Sequence, residues 1–127
     1  GYSAACVTTS DSPDIPAERF KDAIEKLSQW EAVIGPSTDG GYFLFGFTKD
    51  AFKKTPFLNM IWSHPEVTNE MEDRLDRLGT RWTETEPWPD LDDIDDVKAL
   101  LARHPKGSER VNEPKRTMAF LRRLDLP

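Results

Sequence analysis

The segment "GYFLFGF", residues 41–47, is apolar on both faces of a β-strand. Phe43, Phe45 and Phe47 alternate on one side, and Tyr42 and Leu44 fall on the other. A strand that is apolar on both faces lies in the middle of a sheet that has helices packed on each side. We therefore expect a central strand here and a three-layer α/β domain around it.

The rest of the chain alternates between predicted strands and predicted helices. Short apolar runs bounded by turn residues predict strands at 4–10, 32–35 and 80–85. Helical periodicity and capping residues predict four helices: from Pro16 to about Trp30, at 63–79, from Asp92 or Asp93 to about Arg103, and at 113–124. A short helix is also predicted at 49–54, and the segment 55–62 is ambiguous.

Local patterns also predict details of two helices. The first helix is expected to bury one face formed by Phe20, Ile24, Leu27 and Trp30. The helix at 63–79 begins with Ser63 and Glu66, whose spacing is that of a capping box.

Composition narrows the class of protein. The 127 residues predict a single domain, residues 1–127, and the net charge of −6 argues against a nucleic-acid partner. The single cysteine, Cys6, excludes an internal disulfide and is expected to be a small buried hydrophobe. No apolar run approaches the roughly 20 residues of a membrane span, so we expect a cytoplasmic protein.

Three acidic segments are candidates for chemistry, and each has a structural alternative. In "SDSPD", Asp11 and Asp14 follow a strand and face one cleft, or they close a turn and cap the next helix. In "STDGG", the two glycines admit a ligand close to the backbone, or they form a simple tight turn. The aspartate-rich "WPDLDDIDD" suits a cation site or a helix N-terminus. His64 and His104 have no third ligand nearby that would indicate zinc.

Taken in order, these segments resemble a bacterial family of nucleotide-diphospho-sugar transferase-like proteins that have the glycosyltransferase-A fold. The resemblance is carried by "TSDSPDIP" (9–16), "GPSTDGGYFLFGF" (35–47), "IWSHPEV" (61–67) and "DLDDIDDVKALL" (90–101). It covers about residues 4–101 and leaves 102–127 as a C-terminal helical extension.

The resemblance implies a role for particular residues. Asp11, followed by Asp14, matches the acid that holds Mg²⁺ or Mn²⁺ against a nucleotide diphosphate. Sugar or acceptor binding is implied for Asp39, Gly40, Gly41, Tyr42, Trp62 and Ser63, with Asp39 as the candidate general base. Asp90, Asp92 and Asp96 match the last block, and Asp90 or Asp92 is expected to cap a helix or to bind the metal.

The implied activity is transfer of a glycosyl or nucleotidyl group from a nucleotide-activated sugar to a small acceptor. The family's N-terminal half, a nucleotide-binding βαβ unit, has no counterpart in this sequence. The expected fold is therefore a partial one. The alternatives are a non-catalytic remnant, or a half-domain that acts as a dimerisation or binding module, because half a sheet leaves an unpaired edge. A homodimer is expected, with 102–127 covering that edge or the partner.

Overall fold

Four strands form one sheet in the computed structural model, which describes residues 1–52, 55–107, 112–124 and 126. Their order is β1-β3-β2-β4, and β3 pairs antiparallel with both β1 and β2, whereas β2 and β4 are parallel. β1, β2 and β4 therefore run in the same direction. The strands are β1 (Ala4–Thr8), β2 (Ala32–Pro36), β3 (Tyr42–Thr48) and β4 (Trp82–Glu84).

The described residues also form four helices, and one of them packs on each face of the sheet. The helices are α1 (Ala17–Lys26), α2 (Val67–Arg77), α3 (Ile94–Arg103) and α4 (Lys115–Leu121). Those that pack on the sheet are α1 and α2. The ambiguous segment contains a 3₁₀ turn, Thr55–Phe57. The predicted short helix at 49–54 is wrong where it can be checked, because residues 50 and 51 form a turn, while residues 53 and 54 lie outside the described residues.

The hydrophobic core has two parts, one on each side of the sheet. Ala23 and Leu27 of α1 pack with side chains of β2 and β3 in one cluster. Met71 and Leu75 of α2 pack with a second set of β2 and β3 side chains on the opposite face. The predicted three-layer α/β architecture with β3 at its centre is therefore confirmed.

A β-bulge changes the direction of two side chains at the start of β3. Gly35 pairs with Leu44 and Pro36 pairs with Tyr42, so Phe43 is the extra residue. Phe43 consequently packs with Leu44 in the α1-side cluster, and Tyr42 packs on the α2-side cluster. The predicted faces of these two residues were wrong, because a bulge shifts the strict alternation of a strand by one residue.

The predicted burial of Cys6 on β1 is wrong. β1 is an edge strand, its residues 5–8 are exposed, and Cys6 is exposed rather than a buried hydrophobe. The predicted apolar face of α1 is also partly wrong. Ala23 and Leu27 are buried, whereas Ile24 and Trp30 are exposed, because only the face that meets β2 and β3 is covered.

The start of α2 differs from the predicted capping box. The helix begins at Val67, its N-cap is Glu66, and no side chain caps it. Ser63 has a positive φ of 62°, which places it in a turn before the helix. The helix predicted from Asp92 or Asp93 is confirmed, because Asp93 and Asp96 form a capping box at the N-terminus of α3. In the part of the chain that is described, every helix is too short or too polar to cross a bilayer.

Candidate functional site

The carboxyl ends of β1, β2 and β4 meet at one edge of the sheet, and three loops follow them. Trp88 N donates to Pro36 O at 3.1 Å and Ser37 Oγ donates to Trp88 O at 3.2 Å, so the β4 loop lies beside the β2 loop. Leu91 N donates to Asp11 O at 3.0 Å, which joins the β1 loop to the same place. In α/β sheets, ligands bind at this edge.

Three carboxylates from these loops converge. Oxygens of Asp39, Asp90 and Asp92 all lie within 4.8 Å of one another. Asp39 and Asp92 are exposed and Asp90 is half-buried. Oxygen ligands about 2.0–2.6 Å from a Mg²⁺ or Ca²⁺ ion are separated by about 3–5 Å. The chemistry and the spacing of this acid cluster, defined as Asp39, Asp90 and Asp92, therefore fit a hard divalent cation.

The electrostatics of the acid cluster also favour the binding of a divalent cation. Burial raises the pKa of Asp90, the charges of Asp39 and Asp11 add to the rise, and a hydrogen bond with Ser37 opposes it. The negative charge of Asp90, followed by weak burial and the charge of Asp39, raises the pKa of Asp92. A bound cation would relieve this repulsion, because opposite charge favours the ionised carboxylates.

Asp14, the second predicted metal ligand, lies in a different environment. It is 2% exposed, and its carboxylate accepts hydrogen bonds from Trp88 Nε1 at 3.1 Å and from Arg103 Nε at 2.9 Å. His104 Nε2 lies 3.0 Å from the same carboxylate. Burial alone would raise the pKa of Asp14, but the hydrogen bonds from Arg103, Trp88 and His104 hold it below its usual range.

These contacts engage both carboxylate oxygens of Asp14. Its predicted metal role is therefore not favoured by the geometry. Asp11 adds negative charge beside the cluster, because it contributes to the raised pKa values of Asp90 and Asp92. Its predicted metal role stays a prediction.

The glycine loop is held by protein contacts. Gly40 has a φ of 97°, and a Cβ at this position would lie 1.8 Å from the carbonyl oxygen of Pro65. Thr68 N donates to Gly40 O at 3.1 Å, and Thr68 Oγ1 donates to Gly41 O at 2.6 Å. Gly40 thus meets the backbone that leads into α2, and this contact does not support the expectation that its bare backbone faces a ligand.

Asp39 is oriented by the same loop. Gly41 N donates to Asp39 Oδ1 at 2.9 Å, which forms a local turn around Gly40. This turn is the structural alternative that the sequence left open, and it occurs together with the convergence on Asp90 and Asp92. The tight turn and the candidate site are therefore compatible.

The remaining predicted binding residues form a neighbouring surface. The rings of Tyr42 and Trp62 are 6.4 Å apart at a steep angle, and Trp62 is 46% exposed. Ser63 is exposed beside Trp62. Tyr42 also lines an apolar groove of about 460 Å³, whose other walls include Tyr2, Val7 of β1, and Phe52. The sequence did not reveal this groove, because it forms where the exposed edge strand β1 meets aromatic side chains from distant segments.

Trp88, Arg103 and His104 are site residues that sequence reasoning also missed. Trp88 lies within the acidic motif, and both Arg19 and Arg103 place their guanidinium groups over its ring, at 5.8 and 5.9 Å. In the sequence, the one local indication of a role for Trp88 is that it is an aromatic residue inside an acidic run. Its partners are far away in the sequence, so the spacing of residues could not reveal them.

This mixed α/β sheet, with acidic loops at the carboxyl ends of its parallel strands, is structurally similar to about half of a nucleotide-diphospho-sugar transferase-like protein. The structure is similar to a crystal structure from Desulfovibrio desulfuricans G20 described as a "putative nucleotide-diphospho-sugar transferase", with a TM-score of 0.83 and 32% sequence identity. The likeness covers 96% of this chain and 52% of that chain, so this chain spans about half the length of that structure.

The family is identified by a second comparison. Residues 1–64 match the family described as "Uncharacterized protein conserved in bacteria (DUF2064)". This match includes half of the chain, and the chain belongs to that family. A search of curated proteins gave no match.

Proposed function

We propose that this chain contributes the acceptor side of a transferase that moves a glycosyl or nucleotidyl group from a nucleotide-activated sugar. The similarity to the Desulfovibrio desulfuricans structure supports the class of activity. The observation that carries the proposal is the convergence of Asp39, Asp90 and Asp92 at the edge of the sheet where ligands bind.

The acid cluster is the proposed holder of Mg²⁺ or Mn²⁺. When bound, the cation would offset the charge of the leaving diphosphate. Asp39 is also the candidate general base, but a carboxylate next to a cation has a lowered pKa and accepts a proton poorly. We therefore assign Asp39 to the cation. Asp11 is assigned a supporting role, because it lies close enough to raise the pKa values of the cluster.

The surface beside the acid cluster is the proposed contact for the sugar or the acceptor. Tyr42 and Trp62 offer ring faces and edges, and exposed Ser63 offers a hydroxyl group. Gly41 has no side chain, and a Cβ at this position would lie 3.3 Å from Asp39 Oδ1, so glycine keeps the space beside this carboxylate oxygen clear. The bulge at Phe43 turns Tyr42 towards Trp62, and bulges near binding sites commonly reorient a side chain in this way.

Calorimetric titration with Mn²⁺, followed by UDP- and GDP-sugars, tests this proposal. We expect one Mn²⁺ per chain, and binding of the nucleotide sugar that depends on the metal. Asp90→Asn should weaken Mn²⁺ binding at least about tenfold, because it removes one charged ligand. Asp50→Asn is the matched control, since Asp50 is exposed in the turn after β3 and does not belong to the cluster. Equal Mn²⁺ affinities for the two variants would refute the assignment.

The role of Asp39 is tested separately. If Asp39 is a ligand, the single variant Asp39→Asn should lose Mn²⁺ affinity, as Asp90→Asn does. A variant that keeps its Mn²⁺ affinity but loses turnover would instead identify Asp39 as the general base.

A homodimer joined through β1 is the second candidate, and it corresponds to the binding-module alternative. β1 is an edge strand without a charged residue, a proline or a bulge, which are the usual protections of such an edge. Val7 is 73% exposed on it, and the apolar groove adjoins it. Two copies related by a two-fold axis could pair these edges isologously.

Sedimentation at high protein concentration tests the homodimer. The wild type should sediment as a dimer, and Val7→Lys should sediment as a monomer without loss of folding, because Val7 is already exposed. A monomeric wild type would refute this candidate. The cytoplasmic location expected from the sequence stays a prediction.

A further inference from the structure

We propose that Asp14 is the positioning residue of the acid cluster and does not bind the metal itself. Through Trp88 and the end of α3, it fixes the loop that carries Asp90 and Asp92 at the distance from Asp39 that a cation requires. The inference rests on the proposed metal role of the acid cluster, and it assigns to Asp14 a different function from that implied by its sequence motif.

Asp14 is bonded to the chain on both sides of Asp90 and Asp92. Before them in the sequence, Trp88 Nε1 donates to Asp14 Oδ1 at 3.1 Å. After them, Arg103 Nε donates to Asp14 Oδ2 at 2.9 Å, and His104 Nε2 lies 3.0 Å from the same oxygen. One carboxylate therefore links the two ends of the segment 88–104, which contains the acidic loop and all of α3.

The loop between these two anchors is also held internally. Asp96 Oδ2 accepts from Asp92 N at 2.9 Å, and Leu91 N donates to Asp11 O at 3.0 Å. These bonds limit the local movement of the loop. Asp14 holds the side chain of Trp88, whose backbone is hydrogen-bonded to Pro36 and Ser37 in the loop after β2. Like-charged carboxylates repel each other, so a loop without this anchor would move Asp90 and Asp92 away from Asp39.

The environment of Asp14 makes the anchor strong. Its side chain is 1% exposed and that of His104 is 5% exposed, so these hydrogen bonds are shielded from water. The guanidinium of Arg103 also lies over the ring of Trp88, so the partners of Asp14 contact each other. Hydrogen bonds to a charged group in a buried setting are stronger than those between neutral groups.

Trp88→Phe and Asp14→Asn test this role, with two readouts. The first is the dissociation constant for Mn²⁺ alone, measured by calorimetry. Loss of a group that orients metal ligands weakens metal binding by about 10–100-fold. We expect a change of that size in each variant with unchanged stoichiometry. The double variant should be no weaker than the more affected single variant, because both changes break the same link. Asp22→Asn, which breaks the surface pair with Lys26, is the control and should bind Mn²⁺ like the wild type.

The second readout does not depend on the metal. Hydrogen exchange at the amides of Trp88 and Leu91 reports the bonds to Pro36 and Asp11. Both amides should exchange at least about tenfold faster in Trp88→Phe, while amides in the middle of β3 are unchanged. If Asp14→Asn fails to fold, Trp88→Phe alone carries the test, since it keeps an aromatic ring while it removes the N–H donor and part of the indole.

Three results would overturn the inference. Unchanged exchange at residues 88 and 91 in Trp88→Phe would show that the link does not hold the loop. Loss of Mn²⁺ binding in Asp14→Asn with normal binding in Trp88→Phe would identify Asp14 as a ligand. Strictly additive effects in the double variant would mean that the two residues act independently. A wild type that binds no Mn²⁺ refutes the proposed metal role, and the exchange measurement then decides the positioning role alone.

Discussion

Gly40 is the position where one methyl group should disturb the loop most. Its φ of 97° is unfavourable for residues with a side chain. A Cβ would lie 1.8 Å from the carbonyl oxygen, 2.6 Å from the carbonyl carbon and 2.9 Å from the Cα of Pro65. All three are backbone atoms, so no side-chain rotation can relieve the overlap in Gly40→Ala.

The magnitude follows from what must move. The left-handed backbone costs about 1–2 kcal/mol with alanine. To admit the methyl group, the glycine loop must separate from the start of α2, which breaks the two hydrogen bonds of Thr68 to Gly40 and Gly41, worth about 1 kcal/mol each. With residual overpacking, Gly40→Ala should lower the free energy of unfolding by about 4 kcal/mol.

Gly79→Ala separates the steric effect from the backbone effect. Gly79 ends α2 with a similar positive φ of 67°, but nothing lies within 4 Å of its Cβ position. It should therefore lose only about 1 kcal/mol. Urea denaturation followed by circular dichroism measures both variants. If Gly40→Ala is no less stable than Gly79→Ala, the close contact with Pro65 is not the reason for glycine at position 40.

Two further perturbations test the electrostatics and the core. Burial, together with the neighbouring Glu84 carboxylate, raises the pKa of Glu72 to about 7, so the stability that this group contributes at low pH is lost as the pH rises through 7. Glu72→Gln should therefore be more stable than the wild type at pH 8.5, by about 1 kcal/mol after allowance for the partial exposure of Glu72. This gain should vanish near pH 4. Urea denaturation at both pH values measures it, and an equal difference at the two would contradict this reasoning. Met71 is fully buried between α2 and the sheet, so Met71→Ala should lower the free energy of unfolding by about 2–5 kcal/mol. Asn69 is exposed, so Asn69→Ala should change it by less than about 1 kcal/mol. Equal thermal stability of these two variants would be evidence against the packing of α2 on the sheet.

The features that could be predicted from the sequence are those with a local cause. The doubly apolar β3 indicated a central strand, and Asp93 with Asp96 provided the local cap of α3. The environment of Asp14 could not be predicted in this way, because its partners Trp88 and His104 are 74 and 90 residues away. The bulge at Phe43 was missed for a related reason, since it exists only in the pairing of β3 with β2.

The acid cluster follows from topology more than from any single motif. Asp39 comes after β2 and Asp90 comes after β4, and these strands are parallel neighbours, so their loops leave the sheet side by side. Such a concentration of like charge is unfavourable, and the charge of Asp90 is the main cause of the raised pKa of Asp92, whereas burial comes first for Asp90. The same edge also holds Asp14, a buried carboxylate that is hydrogen-bonded to protein groups. The aspartates at this edge therefore lie in two different environments. Asp14 is neutralised by protein groups and is the residue proposed to fix the loop, while exposed Asp39 and Asp92 and half-buried Asp90 keep the charge that the proposed cation would satisfy.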